Sequence, residues 1–455
     1  MPNCGCNDYS RTQLMRRAAA EAGRGLPAIE PGMPTPAGTG LSRRSFLSRS
    51  AGLAIAVYGA AGLGPKAFEQ GIQAAAAQAP NDRVLVSVFL SGGADSLTML
   101  APKPSAHPTY ATLRPGLGLA EGEGTDFAGD SSLRWHPSLA GLATLHGEGK
   151  VTVMPAVGYT DPNQSHFTSR HYWEVGELNP FGRTGWLGRY LDAHGAPDNP
   201  LQGLTLGWDL QPSVAAMNVP VATVSEPDDY DFWANDTWAV EDAMLDAFSS
   251  MGDAPTGDQG MSQARAAVRA TGRLREQLAP YDTDITLPGG YPNSGFGRRL
   301  AWTARLLADG LPLKVVAIES GGYDTHANQN ATLPDDLLEV GSSLLAFQRD
   351  LEARGLADRV LVHVWSEFGR RPQENDGGTD HGAAGAGLVI GSRASGQTVG
   401  GFPGIAAAQL DSRQNLRHTS DFRGVYCSLL ESWLGVSAAG IVPDESQFSR
   451  PVLVA

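Results

Sequence analysis

Four short apolar runs rich in β-branched residues constrain the fold of this chain more than any other feature. They span residues 83–90, 150–157, 313–319 and 359–365. Runs of this length without polar alternation are typical of parallel strands that are buried on both faces. Segments with helical periodicity separate them, at residues 262–279, 296–310 and 333–355. This repetition predicts an α/β fold, a doubly wound and mostly parallel sheet with helices on both faces.

The N-terminal segment, residues 1–79, has the features of a twin-arginine export signal. Residues 42–47 are SRRSFL, an apolar stretch follows at 51–64, and the alanine-rich tract 73–79 offers a cleavage site. The apolar stretch is too short and glycine-rich to span a bilayer comfortably, and an uncleaved anchor is the alternative. We therefore expect an exported protein, periplasmic or extracellular, with the twin-arginine export machinery as a partner and no stable membrane span after cleavage.

The rest of the chain, residues 80–455, is predicted to form one domain. Segments near 101–135 and 180–260 are rich in Pro, Gly, Asp and Trp without a clear period. We interpret these two segments as insertions in the sheet that roof a cleft.

Charge and cysteine content limit the partners and ligands of this domain. Residues 1–79 hold eight basic and four acidic side chains, so the remainder carries a net charge of about −18, against −14 for the whole chain. Such an acidic domain is not expected to bind nucleic acid. Only Cys427 follows the signal segment, which excludes an internal disulfide. Any metal must therefore be held by oxygen and imidazole ligands.

Polar residues cluster directly after each of the four apolar runs. In an open α/β sheet, ligands bind beyond the carboxyl ends of the strands. The clusters contain Asp95 in SGGADSL, Ser165 and His166 in DPNQSHFTSR, Asp324 and His326 in GYDTH, and Glu367, Asp380 and His381 in SEFGRRPQENDGGTDHG. Asp95 and Ser165 alone could be helix N-caps, and GYDTH could be a hydrogen-bonded loop. Their coincidence at four strand ends favours a shared site.

The chemistry of these side chains predicts a site for a divalent metal, with one or two ions. Carboxylates and imidazoles suit Zn, Mn or Ca. An ion would turn the Ser165 hydroxyl into a nucleophile, and two ions about 4 Å apart could hold the attacking and leaving oxygens. Arg170, Arg370 and Arg371 are candidates to hold a phosphate or sulfate, with a salt-bridged surface as the alternative.

The leader together with FLSGGAD, SHF, GYDTH, SEFGRR and GTDHG resembles a bacterial family of exported proteins of unknown function, distantly related to alkaline phosphatases and sulfatases. The resemblance extends from about residue 84 to WLG at 433–435. It implies an alkaline-phosphatase-like core with a two-metal site. Asp95 then matches the first ligand, Ser165 is similar in position to the nucleophile, and Asp324 with His326 matches an Asp and His that bind the other ion.

The fourth strand end departs from the pattern of that superfamily. Glu367 stands where the superfamily has Asp, and Phe368 stands where it has a ligating His. His166 and Asp380 are candidates for the missing donor. His381 best matches a later His ligand, whereas another alignment makes Asp380 and His381 the Asp-His pair.

These features predict an exported metal-dependent hydrolase of phosphate or related sulfate esters. Its substrate would be a small anionic ester or a glycan-linked ester, with Ser165 as nucleophile and Arg370 on the anion. The sulfatase branch is disfavoured because SHFTSR lacks the Pro and the Arg spacing of the sulfatase modification motif. Phe368 favours the alternative, a catalytically degenerate, sulfatase-like binding or cell-surface assembly protein. An oxidoreductase has no cofactor fingerprint or cysteine ligands in its favour.

Overall fold

The computed structural model describes residues 33–34 and 82–455, with gaps at 197–198, 228–245, 248–249, 254–264, 266–267, 269–270, 273, 276 and 282. The signal segment predicted at residues 1–79 lies almost entirely outside the described residues, and so does much of the segment near 180–260. Both remain predictions.

The described residues form two compact units. Unit 1 consists mainly of Glu177–Thr286 and Asp309–Ala317, and unit 2 consists of Arg83–Gly176, Leu287–Ala308 and Ile318–Ala455. The expectation of one domain from about residue 80 stays a prediction.

The strands in the described part of the chain are β1 (Val84–Leu90), β2 (Leu100–Pro102), β3 (Thr125–Asp126), β4 (Leu133–Trp135), β5 (Val151–Gly158), β6 (Gly203–Leu206), β7 (Ala222–Val224), β8 (Val315–Ser320), β9 (Val360–Trp365), β10 (Arg370–Asn375), β11 (Gly378–His381), β12 (Gly385–Ile390) and β13 (Ser420–Asp421).

The α-helices with described bounds are α1 (Ser96–Met99), α2 (Thr109–Leu113), α3 (Ala140–Gly147), α4 (His166–Val175), α5 (Trp186–His194), α6 (Gly295–Ala308), α7 (Gln329–Ala353) and α8 (Phe422–Ser428). Single turns of 3₁₀-helix occur at Pro137–Leu139, Pro200–Gln202, Pro212–Val214, Ala279–Tyr281, Ala407–Gln409 and Glu445–Gln447, and a π-helical turn follows α8 at Leu429–Trp433.

The main sheet of unit 2 has the strand order β13-β5-β12-β9-β1-β8. β1 pairs in parallel with β9, and β13 pairs in parallel with β5, whereas β12 is antiparallel to both of its neighbours. Every residue of β1, β5 and β9 is buried. This burial explains why these strands are continuous apolar runs in the sequence. The prediction of a mostly parallel α/β sheet is confirmed.

Helices and two small sheets complete unit 2. Helix α7 packs against α6 and α3, and the bounds of α6 and α7 follow the helical patterns predicted at 296–310 and 333–355. The segment near 101–135 contains the antiparallel sheet β2-β4-β3, and β10 and β11 form a hairpin. This hairpin carries most of the motif SEFGRRPQENDGGTDHG.

Unit 1 contains the helix α5 and the parallel pair β6 and β7. The first three residues of β8 belong to this unit, where the strand order is β8-β6-β7. The helical pattern at 262–279 falls mostly on positions outside the described residues. Within the described ranges, no helix combines the length and the apolar character that crossing a membrane requires.

Candidate metal centre

The turn after β1 forms a cradle for a carboxylate. Gly92 and Gly93 have φ of +120° and +77°, and a Cβ on Gly92 would lie 2.4 Å from the backbone nitrogen of Asp324. Glycine is therefore required at Gly92 for both conformation and space. The amides of Gly92 and Gly93 each donate a hydrogen bond of 3.0 Å to the carboxylate of Glu367.

Glu367 follows β9 and orients the imidazole of His166. Its side chain is fully buried, and its Oε1 lies 2.8 Å from Nδ1 of His166. Burial raises the pKa of Glu367, but the hydrogen bond and charge of His166 outweigh it, so the pKa lies below its usual value. An ionised Glu367 keeps the proton of His166 on Nδ1, which leaves Nε2 as a lone-pair donor.

Three imidazoles converge on the carboxylate of Asp324, which follows β8. Nε2 of His326 lies 3.1 Å and Nε2 of His381 lies 3.3 Å from Oδ1 of Asp324. Nε2 of His166 lies 3.4 Å from Oδ2. Ligating atoms of His166, Asp324 and His381 all lie within 4.8 Å of one another, and His326 adjoins this group through Asp324 and His381.

The other nitrogen of each ring faces an acceptor. Nδ1 of His381 lies 2.8 Å from the carbonyl oxygen of Gln164, and Nδ1 of His326 lies 3.6 Å from Oδ1 of Asp380. Nδ1 of His166 faces the carboxylate of Glu367. Imidazoles that bind a metal are commonly held in this way, with Nδ1–H on a carboxylate or carbonyl.

This arrangement fits a divalent cation. Nε2 of His326 and Nε2 of His381 lie 2.9 Å apart, and both face Oδ1 of Asp324. With the proton of His381 on Nδ1, towards the carbonyl of Gln164, the Nε2 of that ring offers a lone pair to a cation. His166, Asp324 and His381 are the residues that would hold the ion, with His326 adjacent.

The charge of Asp324 is strongly stabilised. Burial raises its pKa, but the close contacts with His166, His326 and His381 outweigh burial and hold the pKa far below its usual range. Nη2 of Arg370 lies 2.5 Å from Oδ1 and contributes a further positive charge. These contacts therefore favour the ionised carboxylate, which is the form that a metal ligand needs.

Asp95, expected as a ligand of the same site, has different neighbours. It caps α1, accepting from the amide of Leu97 and the hydroxyl of Thr98. Its carboxylate also accepts two hydrogen bonds from Arg114 and one from Gln329. Five hydrogen bonds occupy the lone pairs of a carboxylate. The ligand role of Asp95 stays a prediction that this arrangement does not favour.

The three arginines predicted to hold an anion differ in how many of their N–H groups are already hydrogen-bonded. Arg170 is buried, bonds Glu174 at 2.7 Å and Glu319 at 3.2 Å, and stacks on an aromatic ring. Arg370 is also buried and is committed to Asp324 and to four backbone carbonyls.

Arg371 is the arginine with donors left for an anion. Its Nε lies 3.3 Å from the carbonyl oxygen of His381, which places it beside the metal group. Within the described part of the chain, its two terminal nitrogens make no hydrogen bond or ion pair. A planar pair of free N–H groups is the arrangement that binds phosphate or sulfate oxygens bidentately.

Ser165 is the N-cap residue of α4, directly before His166. Its backbone has the extended conformation of an N-cap, but its hydroxyl makes no capping hydrogen bond. The buried Oγ has no hydrogen-bond partner among the described residues. A buried hydroxyl without a partner at a helix N-terminus is uncommon and requires an explanation.

Phe368, which replaces an expected ligand, forms an apolar wall of the centre. It is buried, and its ring centroid lies 4.9 Å from that of His166 and 4.7 Å from that of His381. The ring therefore contacts both imidazoles and provides no ligand.

Three participants were not found by sequence reasoning. Gln164 contributes a backbone carbonyl, which leaves no signature in the sequence. Gln329 and Arg114 contribute side chains, but Arg114 lies in an aperiodic segment that we interpreted as an insertion. The Gln in THANQ, three residues after His326, is the one signal that a wider search around the motif could have found.

Comparisons with known proteins give a family and two distant structural likenesses. A family model described as a protein of unknown function, DUF1501, matches residues 135–430, well over half of the chain. The comparison with curated proteins gave no match.

The similar solved structures include a protein in the alkaline phosphatase superfamily from Vibrio parahaemolyticus. It is 11% identical, with 97% of this chain and 78% of that chain covered and a TM-score of 0.39. They also include the PsFucS1 sulfatase from Pseudoalteromonas sp., 11% identical, with 82% and 71% covered and a TM-score of 0.34.

Proposed function

The chain belongs to the DUF1501 family of proteins of unknown function, and we propose that it is an exported metal-dependent hydrolase of phosphate or sulfate esters. The observation that carries the proposal is the convergence of His166, Asp324 and His381, with Ser165 next to His166 in the sequence and its buried hydroxyl without a partner among the described residues. A small anionic ester, free or linked to a glycan, is the proposed substrate class.

A divalent ion at this group, such as Zn or Mn, would supply Lewis-acid stabilisation of an anionic oxygen. The residues of the chain have separate tasks. Glu367 and Gln164 hold the rings of His166 and His381 with Nε2 directed inward, and Asp380 lies 3.6 Å from Nδ1 of His326. Phe368 covers two of the rings and keeps water away from that side.

Ser165 is the proposed nucleophile. Its Oγ would attack the phosphorus or sulfur atom of the ester, the alcohol would leave, and water would then release the inorganic anion from Oγ. Because Oγ has no capping bond to break, no interaction with the helix opposes this attack. The N-terminus of α4 also favours negative charge at this position.

Arg371 is the proposed anion-binding residue, in place of Arg370. Its free guanidinium nitrogens can bind two non-bridging oxygens of the substrate, whereas Arg370 is occupied by Asp324 and backbone carbonyls.

The test compares Ser165→Ala with Ser294→Ala in metal-loaded protein. Ser294 directly precedes α6, and its hydroxyl accepts a bond from the amide of Gly297, so this variant controls for loss of an ordinary cap. With 4-nitrophenyl phosphate, bis(4-nitrophenyl) phosphate and 4-nitrophenyl sulfate as substrates, Ser165→Ala should lower kcat by at least about 10³-fold at unchanged metal content. Ser294→Ala should lower only stability. Equal turnover by Ser165→Ala and the wild type would refute the assignment of Ser165 as the nucleophile.

Phe368 supports a second candidate, a binding or cell-surface assembly protein that retains the fold. An apolar ring stands against His166 and His381 where a further ligand would increase metal affinity. Metal binding without turnover of any of the three esters would favour this candidate over the hydrolase.

A further inference from the structure

The ion pair of Asp95 and Arg114 is the most deeply buried charged pair near the centre. Both side chains have 0% exposure. Two nitrogens of Arg114 donate to Asp95, and Nη2 lies 2.9 Å from Oδ1. The same guanidinium bonds the backbone carbonyls of Pro372 at 3.0 Å and Arg371 at 2.9 Å. Arg114 is thereby tied to β10, the strand that begins at Arg370.

Such a pair does not leave room for a cation at Asp95. An arginine remains protonated at any accessible pH, so a metal ion at Asp95 would face a fixed positive charge within hydrogen-bond distance. Displacing the guanidinium would leave it buried without its counter-ion, together with two unpaired carbonyls. Asp95 is neutralised by the protein itself.

Gln329 connects this ion pair to the metal group. Its Nε2 donates to Oδ2 of Asp95 at 2.6 Å. Its Oε1 accepts from the hydroxyl of Thr325 at 2.9 Å and from the hydroxyl of Thr379, also at 2.9 Å. All four of these side chains are buried.

The two threonines lie inside the two segments that carry the ligands. Thr325 stands between Asp324 and His326, and Thr379 begins the sequence Thr-Asp-His that ends at His381. The amide of Thr379 also bonds the carbonyl of Thr325 at 3.0 Å. One amide oxygen of Gln329 therefore holds the two ligand-bearing segments together, and Asp95 fixes which way that amide is turned.

We propose that the centre takes one metal ion, and that the Asp95–Arg114 pair excludes a second ion from Asp95 and positions the ligands of the one ion through Gln329. The proposal depends on the proposed function for the presence of an ion. Asp95, Arg114 and Gln329 are positioning residues, because each acts through Thr325 and Thr379.

The first experiment measures metal stoichiometry. The full chain is stripped with a chelator, equilibrated with zinc chloride, dialysed and analysed by mass spectrometry for bound zinc per protein. Wild type should bind one equivalent. Asp324→Ala should bind none, and the double variant Asp95→Asn with Arg114→Gln, which leaves no unpaired buried charge, should bind no more than one and with lower affinity than the wild type.

The second experiment tests positioning by Gln329 with a matched control in the same helix. Gln348 is equally buried in α7, and its Nε2 bonds Glu352 and Ser392 far along the helix from the ligands. Gln329→Met should weaken zinc binding by about 10-fold to 100-fold and alter the visible spectrum of the Co²⁺-loaded protein. Gln348→Met should change neither, although both variants lose a buried amide.

The outcomes separate this proposal from the proposed function. Two equivalents of zinc in the wild type would overturn the proposal and leave a metal-dependent hydrolase standing. One equivalent of zinc without ester turnover would refute the proposed hydrolase function and would agree with the one-ion proposal. Unchanged affinity and spectrum in Gln329→Met would refute the positioning role.

Discussion

Arg370 and Arg371 are adjacent in the chain but face different environments, and this difference gives the first prediction. Arg371→Ala should weaken phosphate binding to the zinc-loaded protein by at least about 10-fold, because a bidentate charged contact is lost. Stability should change little, since the carbonyl of His381 keeps its 2.6 Å bond from Nε2 of Gln164. Calorimetric titration with phosphate and thermal melts would measure both effects.

Arg370→Ala is the comparison for that prediction. It removes the partner of Asp324 and of four buried carbonyls, so it should lower the free energy of unfolding by about 3 kcal/mol or more. If Arg371→Ala bound phosphate as tightly as the wild type, the anion site would not lie at this residue.

His363, in the middle of β9, gives a prediction about pH. Burial lowers its pKa to about 3 from an ordinary value of 6.5, so the folded state binds a proton less readily than the unfolded state. The free energy of unfolding should therefore fall as the pH drops from 6.5 towards 3, and this group should contribute about 2 kcal/mol between pH 7 and pH 5. Denaturant unfolding of wild type and His363→Phe at both pH values would measure the difference.

Comparison of His363→Phe with the wild type isolates the contribution of this one ring to the pH dependence of unfolding, because the other titrating groups are common to both proteins. The ring of His363 lies edge-on to Tyr426, with centroids 5.9 Å apart, so an aromatic replacement preserves that contact. Parallel pH profiles for the two proteins would contradict the prediction.

Among elements, the turn between β1 and α1 requires glycine at Gly92 for both backbone conformation and space. Gly92→Ala would place a methyl group 2.4 Å from the nitrogen of Asp324, so it should cost above about 3 kcal/mol of stability and abolish tight zinc binding. The control is Gly122→Ala, where φ is +89° and no atom lies within 4 Å of the added Cβ. That change should cost about 1 kcal/mol, the penalty of the conformation alone.

Thermal melts and zinc titration of the two variants would separate the cost of the backbone conformation from the cost of the steric clash with Asp324. Equal losses of stability in Gly92→Ala and Gly122→Ala would contradict the prediction, because the close approach of this turn to Asp324 would then have no effect on stability.

The same elements show what sequence could and could not predict. Strand ends are visible because buried strands are continuous apolar runs, so Asp324, His381 and Glu367 were all found as candidates. Side-chain direction is not visible. Glu367 faces two glycine amides and His166, whereas Asp95 faces Arg114, and both partnerships depend on tertiary contacts between distant segments. The choice of Arg371 over Arg370 likewise follows from which guanidinium the backbone carbonyls already occupy.

At the scale of the whole molecule, the metal group of unit 2 combines residues from distant parts of its sequence. His166, Asp324 and Glu367 follow β5, β8 and β9, and His381 ends β11. A centre built in this way exists only when the unit is folded, so ion binding and folding are thermodynamically linked.

That linkage gives the last prediction. An ion that binds only the folded state adds RT ln(1 + [L]/Kd) to the free energy of unfolding, which is about 1.4 kcal/mol for each tenfold rise in free metal above Kd. One ion therefore predicts a slope of about 1.4 kcal/mol per decade of free zinc, and two ions predict about twice that value. Denaturant unfolding in zinc buffers would measure the slope for the transition that zinc shifts. Asp324→Ala should reduce the slope to zero, because this carboxylate faces all three imidazoles. A slope near the two-ion value in wild type would show that a second ion binds despite Arg114.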